Sequence, residues 1–225
     1  MKTILSFVEI LSTFVFIDVC LRSNTKWEGV YLLLHFLHNM VVSWCTFRNV
    51  LYTFFLTVDG EELDDNLLLP LIYGFHVYHM VCYFSIFRPD DWMHHIFSMV
   101  FAVPLTMYFF TEKYLLGMCF FFTTGFPGGI NYLLLFLSKN GIYLSKEKQL
   151  SYNSIIQSWI RCPGITMTSG FVLQKVFLQH TNYYKQFAGC LIFCILYWNG
   201  IYFQNIVMEA NVKKKIILKK KINFI

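Results

Sequence analysis

The chain has little charge, and this scarcity limits what kind of protein it can be. Only 14% of its 225 residues are Asp, Glu, Lys or Arg, whereas a soluble domain carries about 25% charged residues. Hydrophobic residues make up 56% of the chain, and phenylalanine alone occurs 25 times. One soluble core of this size does not bury so much apolar surface. The composition therefore excludes an ordinary soluble domain and predicts an all-α membrane protein.

Internal repeats, low-complexity stretches and long linkers are absent as well, so the apolar runs define the organisation of the chain. A helix needs about 20 mostly apolar residues to cross a bilayer. Seven runs reach or approach this length, at 3–21, 30–56, 67–87, 92–111, 114–138, 153–178 and 187–208. We predict a polytopic bundle of about seven transmembrane helices. Its parts are an N-terminal transmembrane helix at 1–24, the main transmembrane domain at 25–210 and a basic cytosolic tail at 211–225.

Glycine and proline interrupt some of these runs. The fifth run contains Gly-Phe-Pro-Gly-Gly at 125–129, which predicts a kink or a short unwound stretch. Pro70, Pro104 and Pro163 lie inside other runs. Because proline cannot continue the backbone hydrogen bonding of a helix, it predicts bends at these three places.

The first run has two interpretations. Lys2 ahead of an apolar stretch is typical of a secretory signal. Glu9 and Asp18 interrupt the stretch, however, and no cleavage site of the Ala-x-Ala type follows it. We therefore favour a retained first helix.

The basic residues of the connections lie almost entirely on one side of the predicted membrane. With the N-terminus outside, the inner side holds twelve: Arg22, Lys26, Arg88, Lys139, Lys146, Lys148, Lys213, Lys214, Lys215, Lys219, Lys220 and Lys221. The outer side holds Lys2, Lys113 and Lys185, together with an acidic loop at 59–65. Because Lys and Arg favour the cytosolic side, we predict a cytosolic C-terminus. Its lysines are expected to contact anionic lipid head groups rather than nucleic acid.

Six of the seven histidines lie in three consecutive predicted helices. They form the pairs His35 and His38, His76 and His79, and His94 and His95. Imidazole is costly to bury in hydrocarbon, so a histidine in a membrane helix usually faces a packed interior or a watery cavity. The predicted topology places all six in the cytosolic half of the bilayer. Their clustering predicts a lipid-active site; the alternative is a set of core histidines bonded to their neighbours.

Spacing within each pair indicates which rings share a surface. Residues three apart lie on one helix face, which joins the members of the first two pairs. The adjacent His94 and His95 point about 100° apart, so we expect one to line the site and the other to support it. A neutral histidine offers a nucleophilic nitrogen, or a base whose pKa is near the working pH.

Further polar groups fall in the same half of the predicted membrane. Asn131, Arg161 and Asn199 lie at that depth, and with the histidines they predict a polar chamber that opens toward the cytosol. The charge of Arg161 needs a partner: it either binds a lipid phosphate or extends to the cytosolic surface. Arg88 and the nearby lysines are candidates to meet the phosphates of a coenzyme A donor at the cytosolic mouth. For Arg88 the alternative is that it follows the topology rule, which we favour.

The seven cysteines form no metal-binding pattern. They are scattered through the apolar runs, and only Cys190 and Cys194 share a helix face one turn apart. An odd number of cysteines within helices predicts reduced, buried core thiols.

Four stretches carry a resemblance to a known family. They are His38-Asn-Met-Val-Val-Ser43, Gly74-Phe-His-Val-Tyr-His79, Trp92-Met-His94-His95-Ile-Phe-Ser98 and Phe126-Pro-Gly-Gly-Ile-Asn131-Tyr-Leu-Leu-Leu-Phe136. In this order they resemble the TLC-domain family, which includes the ceramide synthases and the TRAM proteins. The resemblance covers about residues 25 to 210.

This resemblance implies a multi-pass membrane protein, commonly of the endoplasmic reticulum. Ceramide synthases of the family transfer an acyl chain from acyl-CoA to a sphingoid amine, and their paired histidines are essential to catalysis. The match makes His94 and His95 the leading catalytic candidates. His79 stands where the family has an aspartate, and the long signature that follows the histidine pair in ceramide synthases is absent. The chain is thus more similar to the members that are not ceramide synthases.

We expect a protein of lipid metabolism or homeostasis, with a divergent acyl-CoA-dependent N-acyltransferase as one form of this hypothesis. The catalytic candidates are His94, His95, His38 and His79, and the substrate-binding candidates are His35, His76, Asn131 and Arg161. Membrane lipids, acyl-CoA, a sphingoid base and a second copy of the chain are candidate partners, and no metal or other cofactor is expected. Two alternatives stay open: a non-enzymatic lipid regulator or translocation helper, and a histidine-bound metal oxygenase or amidase.

Overall fold

The computed structural model describes residues 2–55, 65–87, 89–109, 113–178 and 182–222, without the side chains of 2–4, 65, 66, 90, 91, 93, 94, 113 and 218–222. The acidic loop predicted at 59–65 falls largely outside these ranges. Ten α-helices occur in them: α1 (Lys2–Asn24), α2 (Val30–Phe55), α3 (Asp65–Tyr83), α4 (Pro89–Ile96), α5 (Val103–Phe109), α6 (Lys113–Thr123), α7 (Phe126–Lys139), α8 (Lys146–Ile156), α9 (Cys162–Leu178) and α10 (Tyr183–Ile222). Because the described ranges contain no strand, the predicted all-α bundle is confirmed.

Short segments of other helix types join some of these helices end to end. A 3₁₀ turn, Phe84–Ile86, extends α3, while the π-helical segments Phe97–Ala102 and Gln157–Arg161 join α4 to α5 and α8 to α9. With α6 and α7 counted as one kinked rod, the described chain forms seven helical rods that match the seven predicted runs. Within the described residues, four stretches are long and apolar enough to cross a bilayer: Val30–Phe55, Leu67–Ile86, Tyr114–Lys139 and Tyr183–Ile217. The chain thus has the architecture of a multi-pass membrane protein, and membrane crossing by the other three rods stays a prediction.

The break between α6 and α7 follows from glycine and proline. Helix α6 ends at Thr123, and α7 begins at Phe126 with Pro127 in its first turn. Proline is favourable at this position because its missing N–H would have no partner there. An interruption is therefore present, but it covers residues 124 and 125, and residues 126–129 of the predicted stretch are already helical.

The two π-helical segments each end just before a proline, Pro104 in α5 and Pro163 in α9. A proline clashes with the carbonyl four residues earlier, so the preceding turn widens to bonds between residues five apart. The N–H of Cys162, for example, donates to the carbonyl of Gln157. The bends predicted at these prolines take this form.

Helix α2 lies at the centre of the bundle. It packs against α6 and α7, while α1 packs along α3, and α9 packs against α6 and α10. A large apolar core is shared by α2, α3, α6, α9 and α10. A smaller core surrounds Phe75 and Tyr78 between the first three helices. This second core borders the predicted histidines of α2 and α3.

One end of the bundle gathers the loops 25–29 and 140–145 and the start of α8, and we call it the basic end. The side-chain amide of Asn140 donates to the carbonyl of Glu28 at 2.9 Å, and its oxygen accepts from the Glu28 N–H at 2.8 Å. Lys214 of α10 pairs with Glu147 of α8 at 3.3 Å. These bonds hold the two loops and the two helices together at this end.

The last helix is longer than its predicted run. It continues without a break to Ile222, so most of the predicted basic tail is helical. Its buried face includes Ala188 and Ile192, and Cys190 and Cys194 are exposed on another face. The prediction of buried thiols is wrong for these two cysteines, because α10 packs against the bundle by only one side.

Candidate functional site

Three neighbouring helices carry the predicted histidines. Helix α2 supplies His35 and His38, α3 supplies His76 and His79, and α4 supplies His94 and His95. The five histidines with described side chains are 8% exposed or less. The side chain of His94 lies outside the described part of the structure, as does Arg88.

The five described rings form a continuous series of contacts, which we call the histidine cluster: His35, His38, His76, His79 and His95. The ring centres of His35 and His79 are 4.3 Å apart. The ring of His95 lies 5.2 Å from His79 and 5.5 Å from His76. The rings of His76 and His38 are 6.3 Å apart. The structure therefore brings three catalytic candidates together with two substrate-binding candidates.

Backbone carbonyls fix the orientation of two of these rings. The Nδ1–H of His35 donates to the carbonyl of Tyr31, and that of His76 to the carbonyl of Ile72, both at 2.7 Å. A carbonyl can only accept, so Nδ1 carries the proton. In the neutral ring Nε2 then keeps its lone pair, which makes it the basic and nucleophilic nitrogen.

His38 is the most deeply buried of the five, with 1% of its surface exposed. Its Nδ1–H donates to the side-chain oxygen of Asn39 at 2.9 Å. Its ring stacks on Phe75, with the ring centres 4.2 Å apart. Among the described residues, no hydrogen bond reaches its buried Nε2. His38 is thus a third ring whose Nε2 retains a lone pair inside the bundle.

The surroundings favour neutral rings. A proton added to one ring would place a positive charge beside other imidazoles in an interior of low dielectric constant. No carboxylate belongs to the described part of the cluster to offset that charge. The buried acid Asp18 is instead paired with Arg22 and accepts a hydrogen bond from the Tyr83 hydroxyl at 2.6 Å. A neutral imidazole is the form that accepts a proton or attacks a carbonyl carbon.

Aromatic side chains enclose the cluster. Phe87 stacks on His95 with ring centres 5.0 Å apart, and Tyr132 lies 4.3 Å from His35. Phe75 meets the edge of His35 at 4.6 Å. Such contacts fix ring orientation and exclude water. Sequence analysis gave these residues no role, although Phe75 directly precedes a cluster histidine.

Arg161 lies on another side of the bundle interior. It ends the π-helical segment before α9 and is buried. Its guanidinium donates to the side-chain oxygens of Asn199 at 2.9 Å and Gln157 at 3.4 Å. It also lies 5.0 Å from the centre of the Phe203 ring. This placement favours an internal role over extension to the membrane surface.

Tyr132 borders the cluster, since its ring centre lies 4.3 Å from that of His35. The helix that carries it, α7, also contacts the π-helical segment that ends at Arg161. The residue before Tyr132, Asn131, has a buried side-chain oxygen that accepts no hydrogen bond from any described group. Within the described part of the chain, Arg161 donates to two amide side chains rather than to the histidines, and the Asn131 oxygen is not bonded to the described histidines either.

The described side chains include no group of three or more His, Cys, Asp or Glu residues arranged to hold a metal ion. The rings of the cluster instead meet by faces and edges. The cluster is thus a set of buried imidazoles packed among aromatic side chains.

Comparisons of the chain with models of known families, with curated proteins and with solved structures give no match. The function must therefore be argued from the geometry of the site and from the resemblance of the sequence motifs.

Proposed function

We propose that this chain is a TLC-type membrane protein that acts on membrane lipids, and that its reaction is acyl transfer from acyl-CoA to a sphingoid amine. The histidine cluster carries this proposal. Polar rings are costly inside a membrane bundle and are usually retained there for function. Basic nitrogens in an apolar enclosure suit the deprotonation of an amine and the handling of a fatty acyl chain in one site.

In this mechanism a ring of the cluster is the general base. A ring nitrogen removes a proton from the acceptor amine as the amine attacks the thioester carbonyl carbon. The N–C bond forms, the C–S bond breaks, and the proton passes from the imidazolium to the departing thiolate. His79 and His95 suit this role because they are adjacent in the series, with His35 and His76 on either side.

The basic end supports a location for the site. Lys and Arg in short connections favour the cytosolic side of a membrane, and Arg22, Lys139 and Lys146 all lie at this end. We propose that the basic end and the C-terminus face the cytosol, where acyl-CoA is available. The proposed membrane is that of the endoplasmic reticulum, as the family resemblance implies.

The test uses purified protein in lipid nanodiscs with labelled acyl-CoA and a sphingoid base. We expect wild type to form the amide product. The His79→Gln and His95→Gln variants should lose about 100-fold or more of the rate, because a general base typically contributes that much. His180→Gln is the matched control, since His180 lies in the sequence between the sixth and seventh predicted runs.

Each variant is first compared with wild type by thermal unfolding, so that a folding defect is not read as a catalytic one. Full activity in both cluster variants would contradict the assigned role. Absence of product from folded wild type would reject acyl transfer altogether.

A second candidate function is that of a non-enzymatic lipid regulator. The observation that favours it is the departure from the ceramide synthase pattern, with His79 in place of the aspartate and no signature after His95. In that case the cluster binds a lipid without changing it. Lipid that copurifies with wild type but not with a folded His79→Gln variant, without product formation, would identify this function.

A further inference from the structure

A second polar site lies at the basic end, outside the histidine cluster. A cavity of about 370 Å³ opens between the start of α2, the end of α7 and the start of α8. Its lining residues are Tyr31, Leu32, Leu135, Ser138, Lys139 and Lys146, and we call it the lysine pocket. The volume falls within the range of about 300–1,000 Å³ that is usual for small-ligand sites.

The lining is cationic. Two ammonium groups and two hydroxyl groups belong to it, and no acid is among the lining residues. The Nζ of Lys139 lies 5.9 Å from the centre of the Tyr31 ring. The Nζ of Lys146 donates to the side-chain oxygen of the buried Gln149 at 2.8 Å. Within the described side chains neither lysine pairs with a carboxylate, so both charges are available to an anion.

Among the described side chains, two nearby lysines of α10 are paired with carboxylates, unlike the two pocket lysines. Lys213 pairs with Glu209 and Lys214 with Glu147, each at 3.3 Å. Glu209 and Glu147 are therefore paired with lysines that do not line the pocket. Burial, and then the charge of Lys214, lower the pKa of Lys146. An anion in the pocket would stabilise the charged form of this lysine.

Tyr31 connects the lysine pocket to the histidine cluster. Its ring lines the pocket, and the ring centre lies 5.8 Å from that of His79 and 6.2 Å from that of His35. Its carbonyl also accepts the Nδ1–H of His35. A ligand whose charged end occupies the pocket therefore lies one aromatic ring away from two histidines.

We propose that the lysine pocket binds a phosphate group of the molecule on which the cluster acts, with Lys139 and Lys146 paired to its oxygens. The phosphate belongs either to a membrane phospholipid head group or to a soluble organic phosphate. The link between the pocket and catalysis rests on the proposed function, whereas phosphate binding itself does not. Ser138 and Tyr31 add hydroxyl groups beside the two lysines.

The experiment uses the full chain in phosphatidylcholine nanodiscs and has two arms. In the first, inorganic pyrophosphate is titrated and its affinity measured by calorimetry. In the second, a small fraction of phosphatidic acid is included, and the lipid bound per protein is counted by native mass spectrometry. The test variant is Lys139→Gln combined with Lys146→Gln. The matched control is Lys148→Gln combined with Lys213→Gln, which removes the same charge from the same end outside the pocket.

We expect the pocket variant to weaken binding of at least one probe about tenfold or more, since charge-assisted hydrogen bonds are lost. The control should change affinity less than twofold. Replacement of both pocket lysines by arginine should preserve binding and so separates loss of charge from misfolding. A response to pyrophosphate alone identifies a soluble phosphate, and a response to phosphatidic acid alone identifies a lipid head group.

The proposal is overturned if wild type binds neither probe, or if pocket and control variants lose affinity equally. Failure of the two proposals can be told apart. Binding that depends on the pocket, without acyl transfer by wild type, retains the phosphate site and rejects the enzyme. Acyl transfer with an unchanged KM for the acyl donor in the pocket variant retains the enzyme and rejects the link between the two sites.

Discussion

At the scale of single residues, some buried polar groups in this protein bond one turn away and others bond to a neighbouring helix. Asp18 shows both, because it pairs with Arg22 on α1 and accepts a hydrogen bond from Tyr83 at the end of α3. The Arg22 guanidinium also lies 4.5 Å from the centre of the Tyr83 ring. From the sequence, Asp18 was only an interruption of the first apolar run. Its partners explain how a carboxylate is tolerated in that helix.

Removal of one hydroxyl tests this arrangement. Tyr83→Phe should lower the free energy of unfolding by about 1.5–3 kcal/mol, because it removes a hydrogen bond to a charged group. For a chain of this size the unfolding temperature should fall by about 3–12 °C. Tyr143→Phe is the control, since Tyr143 is fully exposed. Equal unfolding temperatures for the two variants in detergent would contradict a stabilising role for the bond.

At the scale of helices, glycines permit close packing between the rods. A Cβ on Gly164 of α9 would lie 2.1 Å from the ring of the buried Phe122 of α6. Small residues at helix contacts are typical of membrane bundles, where close packing takes the place of a hydrophobic driving force. Gly170, two turns further along α9, has open space at the same position.

These two glycines make a matched pair. Gly164→Ala should destabilise the protein by about 1–3 kcal/mol, because the added methyl group forces α6 and α9 apart. Gly170→Ala should be neutral or stabilise by up to about 1 kcal/mol, because alanine is the better helix former. Thermal unfolding of both variants provides the measurement. An unchanged unfolding temperature for Gly164→Ala would show that the Phe122 ring moves aside at no cost in stability.

The helical rods could be predicted from sequence because long apolar runs give the strongest signal a single chain carries. The run 30–56, for instance, corresponds to α2 at Val30–Phe55. The extension of α10 to Ile222 was missed because its lysine-rich sequence has no apolar periodicity. Contacts with α8, such as the ion pair between Lys214 and Glu147, stabilise this part of α10. Such contacts between distant segments cannot be read from the sequence of one segment alone.

The candidate site was predictable in part. Depth and spacing brought His35, His76 and their partners to one region, as the structure also shows. The aromatic enclosure was not predictable. The chain has 25 phenylalanines, and the sequence does not distinguish one that packs on a histidine ring, such as Phe75 or Phe87, from one that faces lipid. The sequence suggested that lysines at the cytosolic mouth could meet phosphates, but it did not separate Lys139 and Lys146 from the other lysines, since all of them are also topology signals.

At the scale of the whole molecule, the sides of the bundle are apolar. Trp44 in α2 is 85% exposed and Trp159 in the second π-helical segment is 78% exposed. In a soluble protein such surfaces would favour association. In a multi-pass membrane protein we expect such surfaces to contact acyl chains, which remains a prediction for the rod that carries Trp159.

Tryptophan fluorescence tests this surface. Trp44 lies about 21 Å along α2 from Val30, inside a hydrocarbon core about 30 Å thick, whereas Trp27 precedes the helix at the basic end. In variants that keep one tryptophan, lipids brominated on the acyl chain should quench Trp44 more strongly than Trp27. Aqueous iodide should show the opposite order. Stronger iodide quenching of Trp44 would contradict the membrane orientation of α2.

Helix α10 is too long for the bilayer that it would cross. Its apolar stretch Tyr183–Ile217 has 35 residues, or about 52 Å of helix. A hydrocarbon core about 30 Å thick, crossed at a steep tilt of about 40°, holds only about 39 Å. A bilayer placed across α10 therefore leaves about nine residues of this stretch outside the hydrocarbon core. Near the lysine-rich end of the stretch, Asn211 donates to Ser154 of α8 at 2.9 Å. We expect the excess at this end, where α8 supports it, so that a soluble protein approaching this face would meet ordered helix before lipid.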